Sequence, residues 1–391
     1  MVEVASQSIQ GSEAQKAEEK NLLLRPLVHP YIKEFLEDKQ FLFNLVKALG
    51  SPLNLLFPEI LKENIESFKS TMKKHQLQGR VYLAHKTNQS QSLVRELAVQ
   101  DAYLDVSSLR ELRNGLGSGF TGARIEATGP KNKQFLALCI QHGVTISIDS
   151  LWELKTTLEL KKILKADKPV PILFRLSGFK ADHSRFLNKG SRFGITLEEI
   201  EEAFDFVEDN DDEFEFLGFS FHLDTVSIVE RAVAIENCLE LIEEAISRDL
   251  DPRVLCIGGG YKVNYLEQES DWNEYTTALK ESVIGTGKSM TWQGNSFGMS
   301  TEKGKIKGNF NSYNFFDSES GPDYLDAILS HRFPNLGDKT AASILRDNMI
   351  ELWIEPGRSL VKQCGITVSS VNNLRPSSTG DQLVVLNMKR Q

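Results

Sequence analysis

From residue 52 onward the chain alternates short apolar runs with longer helix-like ones. Eight runs rich in β-forming residues read as strands: 81–84, 102–106, 124–128, 144–148, 171–176, 216–221, 254–257 and 351–354. Helix-like stretches lie between them at 59–74, 90–99, 131–141, 151–164, 197–206 and 227–248. Strands that alternate with helices predict a parallel α/β fold, because parallel neighbours need a crossover connection. Eight such strands favour a closed TIM-type (βα)8 barrel over an open doubly wound sheet.

Two regions break this rhythm. Residues 282–311 are polar and rich in Gly, Ser and Lys, and read as a long insertion or mobile loop. After Leu360 the pattern changes, and 365–371 and 382–388 read as antiparallel strands joined by a turn. They look like the beginning of a C-terminal all-β domain, incomplete because two strands are too few to stand alone. The stretch 22–28 is expected to add a strand to it. The resulting division is a disordered tail over 1–20, a segment 21–51 contributing to the β domain, a barrel over 52–362, and the start of the β domain over 363–391.

Composition narrows the class. A chain of 391 residues with 40% hydrophobic and 25% charged residues has the make-up of an ordinary globular protein. A net charge of −9 excludes a general nucleic-acid binder, since no basic stripe balances phosphate. The sequence has no apolar run of about 18 residues, so no membrane span is expected. The N-terminus lacks the apolar core of a signal peptide. Cys139, Cys238, Cys256 and Cys364 stand far apart, without pairing or zinc spacing. The expectation is reduced thiols, no metal site and a cytoplasmic protein.

Chemistry collects at the ends of the strands. Lys86 follows the first, Asp105 falls at the end of the second, and His222 follows Phe221 at the end of the sixth. The seventh leads into Gly258, Gly259 and Gly260, more glycine than one turn demands, leaving backbone N–H groups free to surround an anion. The eighth delivers Glu355-Pro-Gly357-Arg358: a carboxylate, a stiff turn and a guanidinium fork suited to phosphate. Arg175 stands inside an otherwise apolar strand and demands an anionic partner. Two glycine motifs fail their context: Gly285–Ser289 follows helix-like sequence rather than a strand, and Gly115–Gly119 also follows a helix. In a βα barrel the strand ends converge on one pocket. A lysine, carboxylates, a histidine, a glycine run and arginines there suit a phosphorylated aldehyde cofactor, pyridoxal 5′-phosphate (PLP), held as a Schiff base on Lys86.

Together these residues resemble the PLP-dependent decarboxylases of the ornithine/diaminopimelate group, which have an alanine-racemase-like fold. The resemblance runs from about Ser51 to Val361. Lys86 stands where that family has its cofactor lysine, and Leu104-Asp-Val-Ser-Ser108 is similar to its Phe-Asp-Cys/Val-Ala-Ser. Glu111 follows in register. Residues 124–130 look like its strand ending in Thr-Gly-Pro, and Ser191-Arg-Phe-Gly194 is similar to its Ser-Lys-Phe-Gly. Cys256–Tyr261 resembles Asp-Ile-Gly-Gly-Gly-Phe, and Glu355–Arg358 matches Glu-Pro-Gly-Arg. His222-Leu-Asp-Thr225 departs from His-X-Gly-Ser by placing Asp224 where the family has glycine.

The resemblance implies decarboxylation of an amino acid, basic or diamino, by a homodimer. It assigns Lys86, His222 and Glu355 to catalysis. Asp105, Glu111, Arg175, Thr225, Gly258, Gly259, Gly260, Gly357 and Arg358 join them in holding the cofactor. A catalytically silent PLP-binding homologue and an amino-acid racemase on the same fold are the alternatives. Family members also carry site residues in the following β domain, for which this sequence shows no counterpart. The chain as written is therefore expected to be a poor decarboxylase by itself.

Overall fold

The computed structural model describes residues 22–179, 191–378, 380 and 382–388. The predicted tail over 1–20 lies outside them. Eight parallel strands close on themselves: β1 (Gly79–Ala84), β2 (Tyr103–Val106), β3 (Ile125–Ala127), β4 (Thr145–Ile148), β5 (Val170–Ser177), β6 (Phe214–Ser220), β7 (Val254–Cys256) and β8 (Glu351–Ile354). Each pairs with the next, and β8 returns to β1 through Leu352 opposite Gly79 and Ile354 opposite Val81. This is a TIM barrel with separate β strands at its C-terminal end. Helices cover the outside, so β2, β3 and β4 are buried along nearly their whole length, although they carry Asp105, Glu126, Thr145 and Ser147.

The turns from strand to helix explain how the mouth of the barrel is held. Helices α1 (Leu109–Gly117), α2 (Leu151–Leu164) and α3 (Ile228–Ser247) each begin with Ser-x-x-Glu. Ser108, Ser150 and Ser227 accept the backbone N–H of Glu111, Glu153 and Glu230, which fixes the first turn of each helix. Inside the barrel, Tyr82, Leu173, Leu217, Val254, Cys256 and Trp353 pack as one cluster. Arg80 lies 4.6 Å over Trp353 and donates to Glu351 at 2.9 Å, closing the N-terminal end.

At the C-terminal end, Gly365–Val368 pairs antiparallel with Leu53–Leu56, and Val371–Pro376 pairs with Gln382–Leu386. The partner for the first of these comes from 53–56, not from the expected stretch 22–28. Residues 30–37 and 39–49 are helical, because Pro30 starts one helix and Asp38 caps the next by accepting the N–H of Phe41.

The chain separates into two compact units, residues 22–27 with 265–316, and residues 28–264 with 317–388. In the smaller, Arg25 donates to Asp271 at 2.8 Å and Pro26 bridges Leu266. The region read as a loop over 282–311 contains the end of helix Glu269–Ile284, capped by Gly285 at φ 87°, and a hairpin pairing Ser300–Glu302 with Lys305–Lys307. Its two-residue turn, Lys303-Gly304, has φ of 51° and 75°, the mirror-image geometry that matches strand twist. The polar composition concealed these elements. No helix among the described residues is long and apolar enough to cross a membrane.

Candidate active site

The C-terminal ends of the strands surround a cavity of about 660 Å³ within the larger unit. Lys86, Arg175, His222, Thr225 and Glu355 all line it, joined by Asp224, Arg192, Thr128 and the Ser147–Ser220 pair. Lys86 sits on a single 3-10 turn, His85–Thr87, directly past β1. Its side chain is exposed while His85 beside it is buried, so the turn presents the amine to the open space.

Glu355 is 6% exposed and accepts the Cys256 thiol at 3.5 Å. Burial raises its pKa to about 7, and the nearby Asp105 adds to this; Lys86, the thiol and Arg175 act in the opposite direction. His222 Nδ1 accepts the backbone N–H of Gly259 at 3.3 Å, which leaves its proton on Nε2. Packing around the ring, with Lys86, Arg175 and Arg231 nearby, lowers its pKa to about 3, so the imidazole is neutral at physiological pH. More than a third of its side chain, 37%, still faces open space. Arg175 is oriented by Asp149 at 3.2 Å and lies 5.0 Å over the Phe193 ring.

The other predicted residues stand behind this lining. Asp105 is buried and accepts the Thr128 hydroxyl at 2.5 Å. Its pKa is raised by burial, against the pull of Lys86 and Thr128. Glu111 is directed to its own helix start, accepting the N–H of Ser107 at 2.7 Å and its hydroxyl at 3.1 Å. Gly258–Gly260 packs under His222: a Cβ on Gly258 would meet Phe221 O at 2.3 Å, and one on Gly259 would meet Glu355 O at 2.6 Å. Gly357 has φ 60° and its Cβ position is 3.8 Å from Thr87, beside the lysine turn. Arg358 is exposed on the following turn.

Two residues escaped the sequence reading. Arg231, fully buried on α3, donates to Ile257 O at 2.6 Å and Gly259 O at 2.9 Å, and so holds the glycine run from below. Glu126 is fully buried on β3. Both are charged residues within apolar stretches, the signal that had singled out Arg175.

Comparison with known proteins identifies the family. The family described as "Pyridoxal-dependent decarboxylase, pyridoxal binding domain" matches residues 60–306. The chain belongs to that family. Its cofactor is pyridoxal 5′-phosphate. A Sinorhizobium fredii protein called y4yA is 30% identical over 336 residues, covering 85% of this chain and 66% of that one. Diaminopimelate decarboxylase of Bacillus subtilis is 24% identical, with coverages of 84% and 65%. The chain thus spans about two thirds of the length of these relatives. A crystal structure of diaminopimelate decarboxylase from M. jannaschi shares the fold, with a TM-score of 0.63, 19% identity and coverages of 88% and 69%.

The residues present fit the cofactor. A primary amine, a buried carboxylate, a neutral imidazole and a guanidinium share one cavity. These are the partners an aldehyde, a ring nitrogen, a ring face and anionic oxygens call for.

Proposed function

We propose that this pyridoxal-dependent family member decarboxylates an amino acid with a basic or second amino-bearing side chain, using Lys86 as the covalent attachment point for the cofactor. The observation that carries this reading is the meeting of Lys86, Arg175, His222, Thr225 and Glu355 on one cavity at the mouth of the barrel. When bound, pyridoxal phosphate supplies an electron sink for the pair left behind as the substrate carboxylate departs as CO2. Glu355, with almost no water around it, would keep the ring nitrogen protonated and so keep that sink deep. His222, neutral and fixed by Gly259, offers a ring face without a competing positive charge. Gly258–Gly260, Thr225 and Arg358 would hold the phosphate, with Arg231 keeping the glycine run in shape. Asp105, Glu111 and Arg175 order the surroundings of the lysine and ring.

Diaminopimelate decarboxylase among the relatives supports the substrate class. The exposed apolar side chains of Val371, Leu374, Val384 and Leu386 on the C-terminal hairpin support a homodimer, readable by sedimentation. Four buried, unpaired cysteines support a reducing, cytoplasmic setting. A carboxylate at the buried end of the cavity speaks against the racemase reading. Asp224 on the cavity wall favours the catalytically silent alternative to the extent that its charge opposes the phosphate.

The test combines three measurements. Borohydride reduction of the PLP-loaded protein should fix the cofactor to Lys86. Release of CO2 should be found with lysine, ornithine or diaminopimelate, at a low rate for this chain by itself. Glu355→Gln should retain the cofactor and slow the reaction by an amount worth about 2–4 kcal/mol of barrier. An adduct on another residue, with Lys86→Ala still binding covalently, overturns the assignment.

A further inference from the structure

Behind Glu355, on the closed side of the cavity, lies a second acid that the roles above do not use. Glu126 projects from the middle of β3, is 0% exposed, and neither of its carboxylate oxygens has a hydrogen-bond partner. One of its oxygens, one of Glu355's and the Cys256 sulfur all lie within 4.8 Å of one another. Cys256, on β7, gives its thiol to Glu355 and not to Glu126.

The charges around this cluster are distributed unequally. Tyr82 faces Glu126 from β1, Asp105 from β2, Lys131 from just beyond β3, and Arg175 from β5. Neither cation is bonded to it: Lys131 pairs with Glu153 at 3.0 Å and donates to Ser147 O, and Arg175 pairs with Asp149. Glu355 is nearer to compensation, with the thiol in contact and both Lys86 and Arg175 favouring its charge. Two carboxyls this close in a dry interior cannot both ionise cheaply, so the pair keeps one proton. With no donor aimed at it, Glu126 is the member that retains the proton. Burial and the neighbouring Glu355 push its pKa well up, in agreement.

We propose that Glu126 is a positioning residue acting through Glu355: as a neutral acid it leaves the pair's single negative charge on Glu355 and, standing within 4.8 Å of it, turns its proton toward that carboxylate from the buried side once the charge forms. This rests on the reading that Glu355 meets the cofactor's ring nitrogen. The consequence is a carboxylate supported from behind by a thiol and an acid. The proton between it and a bound ring then stays on the nitrogen, because the oxygen's appetite for it is already partly met.

Two variants separate the possibilities. Glu126→Gln keeps a neutral donor. Glu126→Leu keeps neutrality but removes the donor, and replaces an unpartnered buried acid with an apolar chain of similar size, so the fold is retained. Infrared spectra of the protein without cofactor, at about pH 8, should show the C=O band of a buried carboxylic acid that is lost in Glu126→Gln. In PLP-loaded protein, the pH profile of the visible band should coincide for wild type and the Gln variant and be displaced in the Leu variant. An absent infrared band, or one that survives in Glu126→Gln, overturns the proposal. Equal displacement of the Gln and Leu variants means Glu126 is charged, and coincidence of all three profiles means it does not act through Glu355; either result overturns it. Glu355→Gln serves as the control. An unchanged visible band in that variant overturns the ring-nitrogen reading itself. An altered band there, with the three profiles at position 126 coincident, overturns only the role of Glu126.

Discussion

Replacing Glu355 by glutamine should stabilise the cofactor-free protein, and only at neutral and alkaline pH. The carboxyl is buried, and its pKa in the folded chain is raised from an ordinary 4.5 to about 7. An acid that holds its proton more tightly when folded favours folding at low pH. Between those two values the folded state binds more protons than the unfolded one, so stability declines as pH rises through the window. At about 1.4 kcal/mol per pH unit, the range from 4.5 to about 7 is worth about 3 kcal/mol. Glutamine imitates the protonated acid and cannot ionise, so its stability does not carry this decline. Urea unfolding of both proteins without cofactor, across pH 4.5 to about 8, measures the difference directly. The two should agree at the acid end, and the variant should lead by about 3 kcal/mol above the window. A pH-independent difference, or a wild type more stable at the alkaline end, would refute the argument that burial outweighs the compensation Glu355 receives from the thiol, Lys86 and Arg175. Saturating PLP should reverse the order, because a protonated ring supplies the missing partner.

Other changes test the supports of the cavity. Arg231→Met leaves the carbonyls of Ile257 and Gly259 without their donor, so it should cost on the order of 3 kcal/mol in urea unfolding and weaken PLP binding; a loss below about 1 kcal/mol would show that the glycine run holds itself. Gly259→Ala places a Cβ 2.6 Å from Glu355 O, so a titration with PLP should show affinity lower by at least about tenfold, and unchanged affinity would exclude the close approach. Asp224→Asn removes an exposed negative charge from the cavity wall and should tighten PLP binding severalfold at low salt. Equal affinities in the two proteins would place the phosphate away from Asp224.

Much of this protein is written in local patterns. Eight apolar runs of strand length separated by helical stretches specify a parallel barrel, because a strand covered on both faces is built mostly of apolar residues. Lys86, His222 and Glu355 were visible because each stands at the end of such a run, and in a βα barrel strand ends share one rim. The hairpin around Lys303-Gly304 was not, since an exposed hairpin needs no apolar alternation. The strand at 53–56 was also hidden: its partner, Gly365–Val368, lies some three hundred residues away, and no local signal specifies that pairing. Tertiary structure alone decided which charged residues act together. Arg231 reached under the glycines from a helix beginning some thirty residues earlier in the chain. Glu126, Cys256 and Glu355 come from β3, β7 and the end of β8, and meet only because the sheet closes. Their proton sharing depends on distance and dryness, which a sequence does not express and a closed barrel does.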